Sequence, residues 1–394
     1  MKKKTKIILS ASVLLMAILL TVTAVIKVDK FRARAEYYRE LAYVEKSWIM
    51  ENQLPDGAIA HTDISDIGTE QLISPYFSAT AVRGLLAGSV SPQQAAAAER
   101  WLNWYLDRLN TEQEDSLNGD GTIYDYILNM ENGQISMEST GNYDSVDSYA
   151  ALFLIALEEY CENCGTELLE KRFEDVERVI EAMLRTVEAN GLSIAKQEYK
   201  MQYLMDNSEL NRGIKAAIEL LKLSGGNQEL LHKLDKILEN NEKAFEKYFW
   251  NEEAQCYDIA VYKGDREKFG GWDKFYPDGA AQLFPALFEV SAQDKERGSL
   301  LYSSFCSSWN WQELEHMESG ATDFYWGILA CAAAVQGDEE RLDAYLNSYL
   351  AELKEKGRAY PLYTGEAGWV CQSCGIMEDY FNNTSALKVI IKNL

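Results

Sequence analysis

The chain has 394 residues, of which 47% are apolar and six are proline, and its formal net charge at pH 7 is −24. This length and apolar content suffice for a large core, in one large domain or two ordinary ones. The strong negative charge argues against nucleic acid or an anionic lipid surface as a partner, because both are negatively charged. The composition therefore favours a neutral or cationic partner, and a neutral glycan fits well.

The amino terminus predicts an export segment. A basic start, MKKKTK, precedes roughly twenty uncharged residues, 7–26, and a segment of that length can cross a bilayer. We expect residues 1–30 to form an uncleaved signal anchor with a cytoplasmic basic tip, under the positive-inside rule. Cleavage after 22–24, which would give a secreted protein, is the alternative. Either way, the body of the protein, 31–394, is expected outside the cytoplasm.

The most apolar helix is predicted within 141–157, GNYDSVDSYAALFLIAL. Apolar residues occupy every face of this helix, so it must be buried. Asp144 and Asp147 lie at its start, where an aspartate commonly caps free backbone N–H groups. The same combination of an acidic turn and an apolar helix recurs along the chain, which favours a role beyond capping.

Six mostly apolar helices alternate with six amphipathic ones, which indicates an internal repeat of helical hairpins. Apolar helices flanked by amphipathic ones belong on the inside, so the pattern predicts an all-α fold, an (α/α)6 barrel of six helical hairpins over 31–394. The six apolar helices are predicted at 75–87, 141–157, 208–223, 279–290, 324–335 and 384–391.

The predicted links differ in length according to their direction. Links from an apolar to an amphipathic helix are short, whereas links from an amphipathic to an apolar helix are much longer than a plain connection needs. All long loops are therefore expected at one end of the barrel, where the inner helices begin. Long loops on a rigid scaffold commonly carry function, so we expect the site there.

Carboxylates stand at five of the six predicted inner starts. A glycosidic bond is broken by two acids, one donating a proton and the other activating water or the anomeric carbon. We favour Asp144 and Asp147 as catalytic residues, with Asp63 or Asp278 as a partner from another loop. Helix capping is the alternative reading of each carboxylate.

Aromatic rings accompany these carboxylates, and sugar C–H faces pack on such rings. Packing of the rings as core at the barrel mouth is the alternative. A cleft at the mouth is expected to include several of these rings and two further carboxylates. The candidate substrate-binding residues are Tyr76, Tyr124, Tyr143, Asp206, Trp272, Tyr276, Asp323 and Trp326, and the ring of Trp369 is expected beside them.

The segment DSVDSYAAL at 144–152, the alternating hairpins and two loops bearing Asp-Gly resemble the six-hairpin glycosidases, a superfamily that includes family 8 endoglucanases and unsaturated glucuronyl hydrolases. The resemblance implies an (α/α)6 barrel over about 35–394 and a glycosidase activity. Family 8 enzymes place a general-acid glutamate at the start of an early inner helix, where this chain has Ser74-Pro75-Tyr76. The general acid therefore stays open between Asp63, Glu70 and Asp125.

Three functions remain open at this point. The leading one is an exported, membrane-anchored glycoside hydrolase for a polysaccharide or oligosaccharide, with carboxyl groups separated by the roughly 6.5–9.5 Å of inverting enzymes. A polysaccharide lyase or sugar epimerase would need a proton acceptor such as His61 or His316, with Tyr76 or Tyr143 as a phenolic partner. A glycan-binding envelope protein without catalysis is the third.

Seven cysteines include two pairs with CxxC spacing, Cys161/Cys164 and Cys371/Cys374. The pairs are far apart in the sequence, so buried thiols or disulfides are favoured over a zinc site. We expect no metal, no cofactor and a monomer.

Overall fold

The helices of the computed structural model account for most of the chain. The structure describes residues 2–64, 71–131 and 134–383, with the side chains of 26–64, 71–129 and 136–383. Its α-helices are α1 (Lys2–Glu51), α2 (Pro75–Leu86), α3 (Pro92–Leu106), α4 (Asp147–Cys164), α5 (Glu167–Lys171), α6 (Phe173–Arg185), α7 (Leu204–Ser224), α8 (Gln228–Ala244), α9 (Phe284–Leu287), α10 (Ala292–Ser308), α11 (Glu315–Glu318), α12 (Ile328–Gln336), α13 (Glu339–Lys356) and α14 (Thr364–Asn382).

Six of these helices form a closed inner ring. Each contacts the next in the order α2, α4, α7, α9, α12 and α14, and α14 returns to α2. The other long helices, α1, α3, α6, α8, α10 and α13, alternate with them along the chain and pack on the outside. The predicted (α/α)6 barrel of six hairpins is therefore confirmed.

The burial of each helix follows its sequence pattern. In α4, every residue from Asp147 to Leu157 is buried, as an apolar helix in the ring requires. In the outer helix α6, by contrast, burial is confined to one stripe that contains Val176, Val179, Ile180 and Met183. Spacings of three and four residues place such a stripe on one face, and that face covers the inner ring.

The sixth inner helix was predicted wrongly. It is α14, Thr364–Asn382, whereas the prediction placed it at 384–391, outside the described residues. Glycines made 364–382 resemble a loop, but they lie where α14 packs on α2. A Cβ built on Gly84 of α2 would lie 2.6 Å from the Cα of Gly368. The glycines thus permit close helix contact and do not break the helix.

The fourth inner element is shorter than predicted. A single wide helical turn, Phe275–Gly279, is followed by the four-residue α9, instead of one helix over 279–290. Pro285 lies inside the predicted helix, and proline lacks the N–H that a helix interior needs.

Short strands add three small antiparallel sheets to the long loops, which the all-α prediction did not include. The loops that precede α2, α4 and α7 all contribute strands, and so does the loop between α8 and α9. The sheets are formed by β1 (Gln71–Ile73), β2 (Tyr126–Glu131) and β3 (Gln134–Ser139), by β4 (Gln202–Tyr203), β7 (Ala260–Tyr262) and β8 (Asp265–Glu267), and by β5 (Trp250–Asn251) and β6 (Cys256–Tyr257).

The links have the predicted asymmetry, with one exception. Inner-to-outer links such as 87–91 and 225–227 are short, and outer-to-inner links such as 107–146 are long. The last outer-to-inner link, 357–363, is short because α14 begins early. The long loops all lie at the end where the inner helices begin, which we call the mouth.

The predicted anchor at 7–26 lies almost wholly outside the residues whose side chains are described. Among the described residues, none of the helices is both long and apolar enough for a membrane span. The backbone of α1 is helical without a break through the predicted boundary at 30/31.

Replacing Gly84 by alanine tests the contact between α2 and α14. Alanine in a helix normally stabilises relative to glycine by up to about 1 kcal/mol. Here the added methyl group would overlap the backbone of Gly368, so we expect G84A to lower the free energy of unfolding by about 1–3 kcal/mol. Urea unfolding measures the change, and a stabilised variant would contradict this packing.

Candidate active site

A cavity of about 290 Å³ opens at the mouth, inside the ring of inner helices. This volume is at the lower end of the range for small-molecule sites. Four carboxyl side chains line it, together with several aromatic rings. The lining includes Asp144, Asp206, Glu209 and Glu366, and the rings of Tyr76, Phe77, Tyr149, Tyr276, Phe324, Trp326 and Trp369.

Glu209 lies one turn inside α7 and is almost completely buried. Its Oε1 accepts a hydrogen bond of 2.8 Å from the hydroxyl of Tyr76, at the start of α2. Burial and then the charge of the neighbouring Asp206 raise the pKa of Glu209 to about 8. The carboxyl group is therefore mostly protonated at neutral pH and can donate a proton.

Glu366 lies in the first turn of α14 and is also buried. Its Oε2 accepts a hydrogen bond of 2.5 Å from the backbone N–H of Gly327, just before α12. Burial raises the pKa of Glu366 to about 7, although the backbone donors oppose the shift. A carboxyl group of this kind is ionised in a substantial fraction of molecules near neutral pH.

The two glutamates face each other across the ring. Since α7 and α14 are three places apart in a ring of six, they are opposite helices. Both side chains line the same cavity, so a molecule inside it has Glu209 on one side and Glu366 on the other.

Asp144 and Asp206 lie on the Glu209 side of the cavity. Asp206 is in the first turn of α7, and burial and the charges of Asp147 and Asp144 raise its pKa well above the ordinary range. Asp144 precedes α4 and is exposed. Of the six carboxylates predicted from the sequence, these two line the cavity.

Asp147 does not line the cavity. It is fully buried at the start of α4, where its Oδ1 accepts the backbone N–H of Ser148 and its Oδ2 accepts the hydroxyl of Ser193 at 2.6 Å. Burial raises the pKa of Asp147 to about 7, partly offset by these donors. Its contacts tie α4 to the loop before α7, behind the wall of the site.

The two predicted partners of the Asp144/Asp147 pair also lie outside the cavity lining. The carboxylate of Asp63 is 3.5 Å from the indole nitrogen of Trp48 on α1. Asp278 is buried and accepts the backbone N–H of Gly270.

Of the predicted aromatic residues, Tyr76, Tyr276, Trp326 and Trp369 line the cavity. Trp326 has a φ of +56°, a strained conformation for a bulky side chain, and its indole N–H donates to the hydroxyl of Thr322 at 3.0 Å. Such strain occurs at functional sites, where surrounding contacts hold it.

The remaining predicted residues lie elsewhere at the mouth and have other partners. Tyr124 stacks on Tyr143 at 5.5 Å, and Trp272 packs on Phe269. Asp323 accepts the hydroxyl of Tyr360 in a neighbouring groove. These four predicted residues do not share the cavity with the glutamates.

Glu209 and Glu366 were both missed. The sequence prediction considered carboxylates at the starts of the inner helices, and Glu209 lies one turn beyond the start of α7. Glu366 lies in α14, which the sequence did not predict as a helix. The only local signal for Glu209 was its spacing of three residues from Asp206, which puts both on one helix face.

Histidine, metal and thiol chemistry find no support among the described residues. His61 and His316 lie outside the cavity lining, and burial lowers the pKa of each to about 4. Within the described residues, no group of three or more potential ligands could hold a metal ion. All seven cysteines are free thiols.

The sequence matches no family model and no curated protein, but the fold has solved counterparts. A wild-type glycosidase is 13% identical, with 88% of this chain and 98% of that chain covered and a TM-score of 0.59. The chain shares its six-hairpin fold with this glycosidase. A GH63 mannosylglycerate hydrolase from Thermus thermophilus, in complex with glucose, is 12% identical, with 85% and 99% covered and a TM-score of 0.53.

A rhamnosidase from Klebsiella oxytoca, with rhamnose bound, also has the six-hairpin fold. It is 13% identical, with 78% of this chain and 57% of that chain covered and a TM-score of 0.50. The chain thus spans little more than half of that rhamnosidase, whereas it spans nearly all of the other two proteins. At identities this low, the structural similarity shows a shared fold but not a shared activity.

The buried carboxyl group of Asp147 makes a prediction about stability and pH. Because its pKa is higher in the folded than in the unfolded chain, folding takes up a proton, and stability falls as the pH rises from about 4 to about 7. Asp147→Asn cannot ionise, so it should gain stability over the wild type across this range, on the order of 4 kcal/mol at pH 8.

Thermal unfolding at pH 4 and pH 8 measures this difference. An Asp147→Asn variant that loses stability relative to the wild type between pH 4 and pH 8 would contradict the assignment of Asp147 as a buried carboxyl group with a raised pKa.

Proposed function

We propose that this protein is a glycoside hydrolase in which Glu209 is the general acid and Glu366 is the general base. One observation carries the proposal: two buried glutamates with raised pKa values lie on opposite inner helices, on either side of one cavity. Two carboxyl groups with a sugar between them are the arrangement that hydrolysis of a glycosidic bond requires.

In the reaction, Glu209 donates its proton to the glycosidic oxygen as the bond between that oxygen and the anomeric carbon breaks. Glu366, in its ionised form, takes a proton from a water molecule, whose oxygen attacks the anomeric carbon from the opposite face. The products are a free sugar with inverted configuration and an alcohol. The higher pKa of Glu209 suits the acid, and the lower pKa of Glu366 suits the base.

Variants of similar glycosidases support the choice of these residues. The solved variants replace two different glutamates by alanine, a tyrosine by phenylalanine and a phenylalanine by tyrosine. The two substituted glutamates differ in position by the same number of residues as Glu209 and Glu366. One of these variants was solved in complex with glucose. Tyr76 and Phe324 are cavity residues of the matching types in this chain.

The other lining residues have roles that follow from their positions. Tyr76 holds Glu209 through its hydroxyl, which orients the acid. Asp144 and Asp206 are placed to accept hydrogen bonds from sugar hydroxyl groups on the acid side, and the ring of Trp369 can pack on a sugar face. Among the described lining residues none is basic, so a uronate would lack a counter-charge and a neutral sugar is favoured.

The size of the cavity favours a substrate with one sugar residue enclosed. A volume of about 290 Å³ is small for a site that binds several consecutive rings, and an enzyme that cuts inside a polymer needs a longer cleft. We therefore favour removal of a terminal sugar from a small glycoside or from a chain end. On a polysaccharide, the enzyme would act only at the chain ends.

The predicted anchor would place this cavity away from the membrane. α1 runs from Lys2 to Glu51 and ends at the mouth, so its amino-terminal end points toward the opposite end of the barrel. With 7–26 in a bilayer, the cavity would open outward, toward extracytoplasmic glycans. Membrane fractionation tests the anchor: the full chain should sediment with membranes, and a chain starting at residue 31 should not.

Single substitutions test the catalytic pair. E209Q and E366Q keep the size of each side chain but remove its ability to transfer a proton, so each should lower kcat by about 10²-fold or more on a natural glycoside. Glu378→Gln is a matched control, because Glu378 is a buried glutamate of the same helix as Glu366 that pairs with Arg39 outside the cavity.

The readout is sugar release from a panel of neutral and acidic glycosides, with the anomer of the fresh product identified by NMR. Inverted product with normal release by Glu378→Gln would support the proposal. Normal release by E209Q and E366Q would rule out the assignment, and an unsaturated uronate product would indicate a lyase.

The products of an oligosaccharide test the enclosed site. A terminal-acting enzyme releases only monosaccharide at early times, and blocking the non-reducing end of the substrate should stop the reaction. Chromatography of the early products measures this. Early release of di- and trisaccharides would show cleavage inside the chain and contradict the size argument.

A further inference from the structure

The side chain of Arg83 lies mostly shielded from water, two turns deeper in α2 than the cavity residue Tyr76. Arg83, on α2, donates through Nε and Nη2 to Oε1 of Glu159 on α4, at 3.0 and 2.9 Å. Its guanidinium carbon is 5.6 Å from the ring centre of Trp369 on α14. The side chain therefore bridges three consecutive inner helices, α14, α2 and α4, inside the barrel.

The ring that Arg83 contacts is part of the site. Trp369 lines the cavity and comes three residues after Glu366, one turn deeper in α14. Arg83 itself is not among the lining residues and is only 13% exposed. The guanidinium group thus contacts the cavity wall through the Trp369 ring and does not itself line the cavity.

We propose that Arg83 is a positioning residue of the reaction, which holds the Trp369 ring in place under the sugar and supplies the positive charge that tunes the acid Glu209. This proposal rests on the hydrolase function proposed above. In this proposal Arg83 does not touch the substrate but acts through Trp369 and Glu209, which do.

The charge balance of the site supports this role. The carboxyl groups of Asp144, Asp206, Glu209 and Glu366 share one small cavity, and none of its described lining residues is basic. The positive charge of Arg83 opposes the rise in the pKa of Glu209 caused by burial and by Asp206. The charged and titratable groups that influence Glu209 or are influenced by it are Asp206 on α7, Asp147 on α4, Tyr76 and Arg83 on α2, and Tyr276 before α9.

The energetics of the ion pair also favour a role beyond folding. Moving an arginine and a glutamate out of water has a large free-energy cost, and such pairs are often replaceable by apolar residues without loss of stability. In addition, Nη1 of Arg83 is buried and has no hydrogen-bond partner among the described residues. The pair as a whole is therefore not explained by stability alone, but removing Arg83 by itself would leave Glu159 without this partner and is expected to lower stability. Urea unfolding of each variant accordingly accompanies the titration and separates a loss of folding from a change at Glu209.

Two substitutions separate the charge from the contacts. R83Q removes the charge but can still donate a hydrogen bond to Glu159. R83K keeps the charge but loses the planar group that stacks on Trp369 and donates twice to Glu159. Arg358→Gln is the matched control, because Arg358 likewise stacks on a tryptophan, Trp48 at 4.8 Å, and donates twice to a glutamate, but none of these three residues lines the cavity.

The main readout is the titration of Glu209, followed by NMR of the full chain with carbon-13 in its glutamate carboxyl groups. The Glu209 signal is the one that disappears in E209Q. We expect R83Q to shift its midpoint upward by about 0.5–1 pH unit, and R83K and Arg358→Gln to leave it within a few tenths of a unit. The alkaline limb of the pH profile of kcat/KM should move with it, and KM should rise in R83Q and R83K because Trp369 loses its support.

The outcomes distinguish this proposal from the proposed function. An unchanged Glu209 midpoint in R83Q would overturn the role of Arg83, even if the wild type hydrolyses glycosides. An equal shift in Arg358→Gln would overturn it as well, since the effect would not be local. If the wild type hydrolyses no glycoside, the hydrolase function fails, but the titration still decides whether Arg83 tunes Glu209.

Discussion

The contact between α2 and α14 closes the ring of inner helices, and the site depends on that closure. Gly84 and Gly368 let the two backbones approach so closely that even a methyl group would overlap. With the ring closed, side chains that point inward are shielded from water by six helices. Glu209, Glu366 and Asp147 are consequently buried as carboxyl groups, which is an unfavourable environment for their charged forms.

That burial is what makes the site chemically useful. An exposed glutamate is ionised at neutral pH and cannot act as an acid, whereas Glu209 retains its proton because it is desolvated and lies beside Asp206. Glu366, opposite, receives a backbone N–H that favours its ionised form. The same barrel therefore gives one glutamate the character of an acid and the other that of a base, and Arg83 limits how far the first is shifted.

The sequence predicted the barrel because alternation of apolar and amphipathic helices is a local property. It also predicted Tyr76, Asp144, Asp206, Tyr276 and Trp326 as site residues, since each stands at the start of an inner helix. The glycine-containing segment that forms α14 resembled a loop, because its glycines are explained by close packing on α2, which is distant in sequence. Glu209 and Glu366 were missed for the same reason: their environment is set by helices across the ring.

The roles of the two glutamates are tested most directly by the leaving group. The nitrophenolate of a nitrophenyl glycoside can leave without being protonated, but water must still be activated to attack the sugar. An enzyme without its acid should therefore keep much more activity on this substrate than an enzyme without its base. We predict that E209Q hydrolyses a nitrophenyl glycoside at least about 10-fold faster than E366Q, whereas both are nearly inactive on a glycoside with a sugar leaving group. Equal losses by both variants on both substrates, or better survival of E366Q on the nitrophenyl glycoside, would contradict the assignment of Glu209 as acid and Glu366 as base.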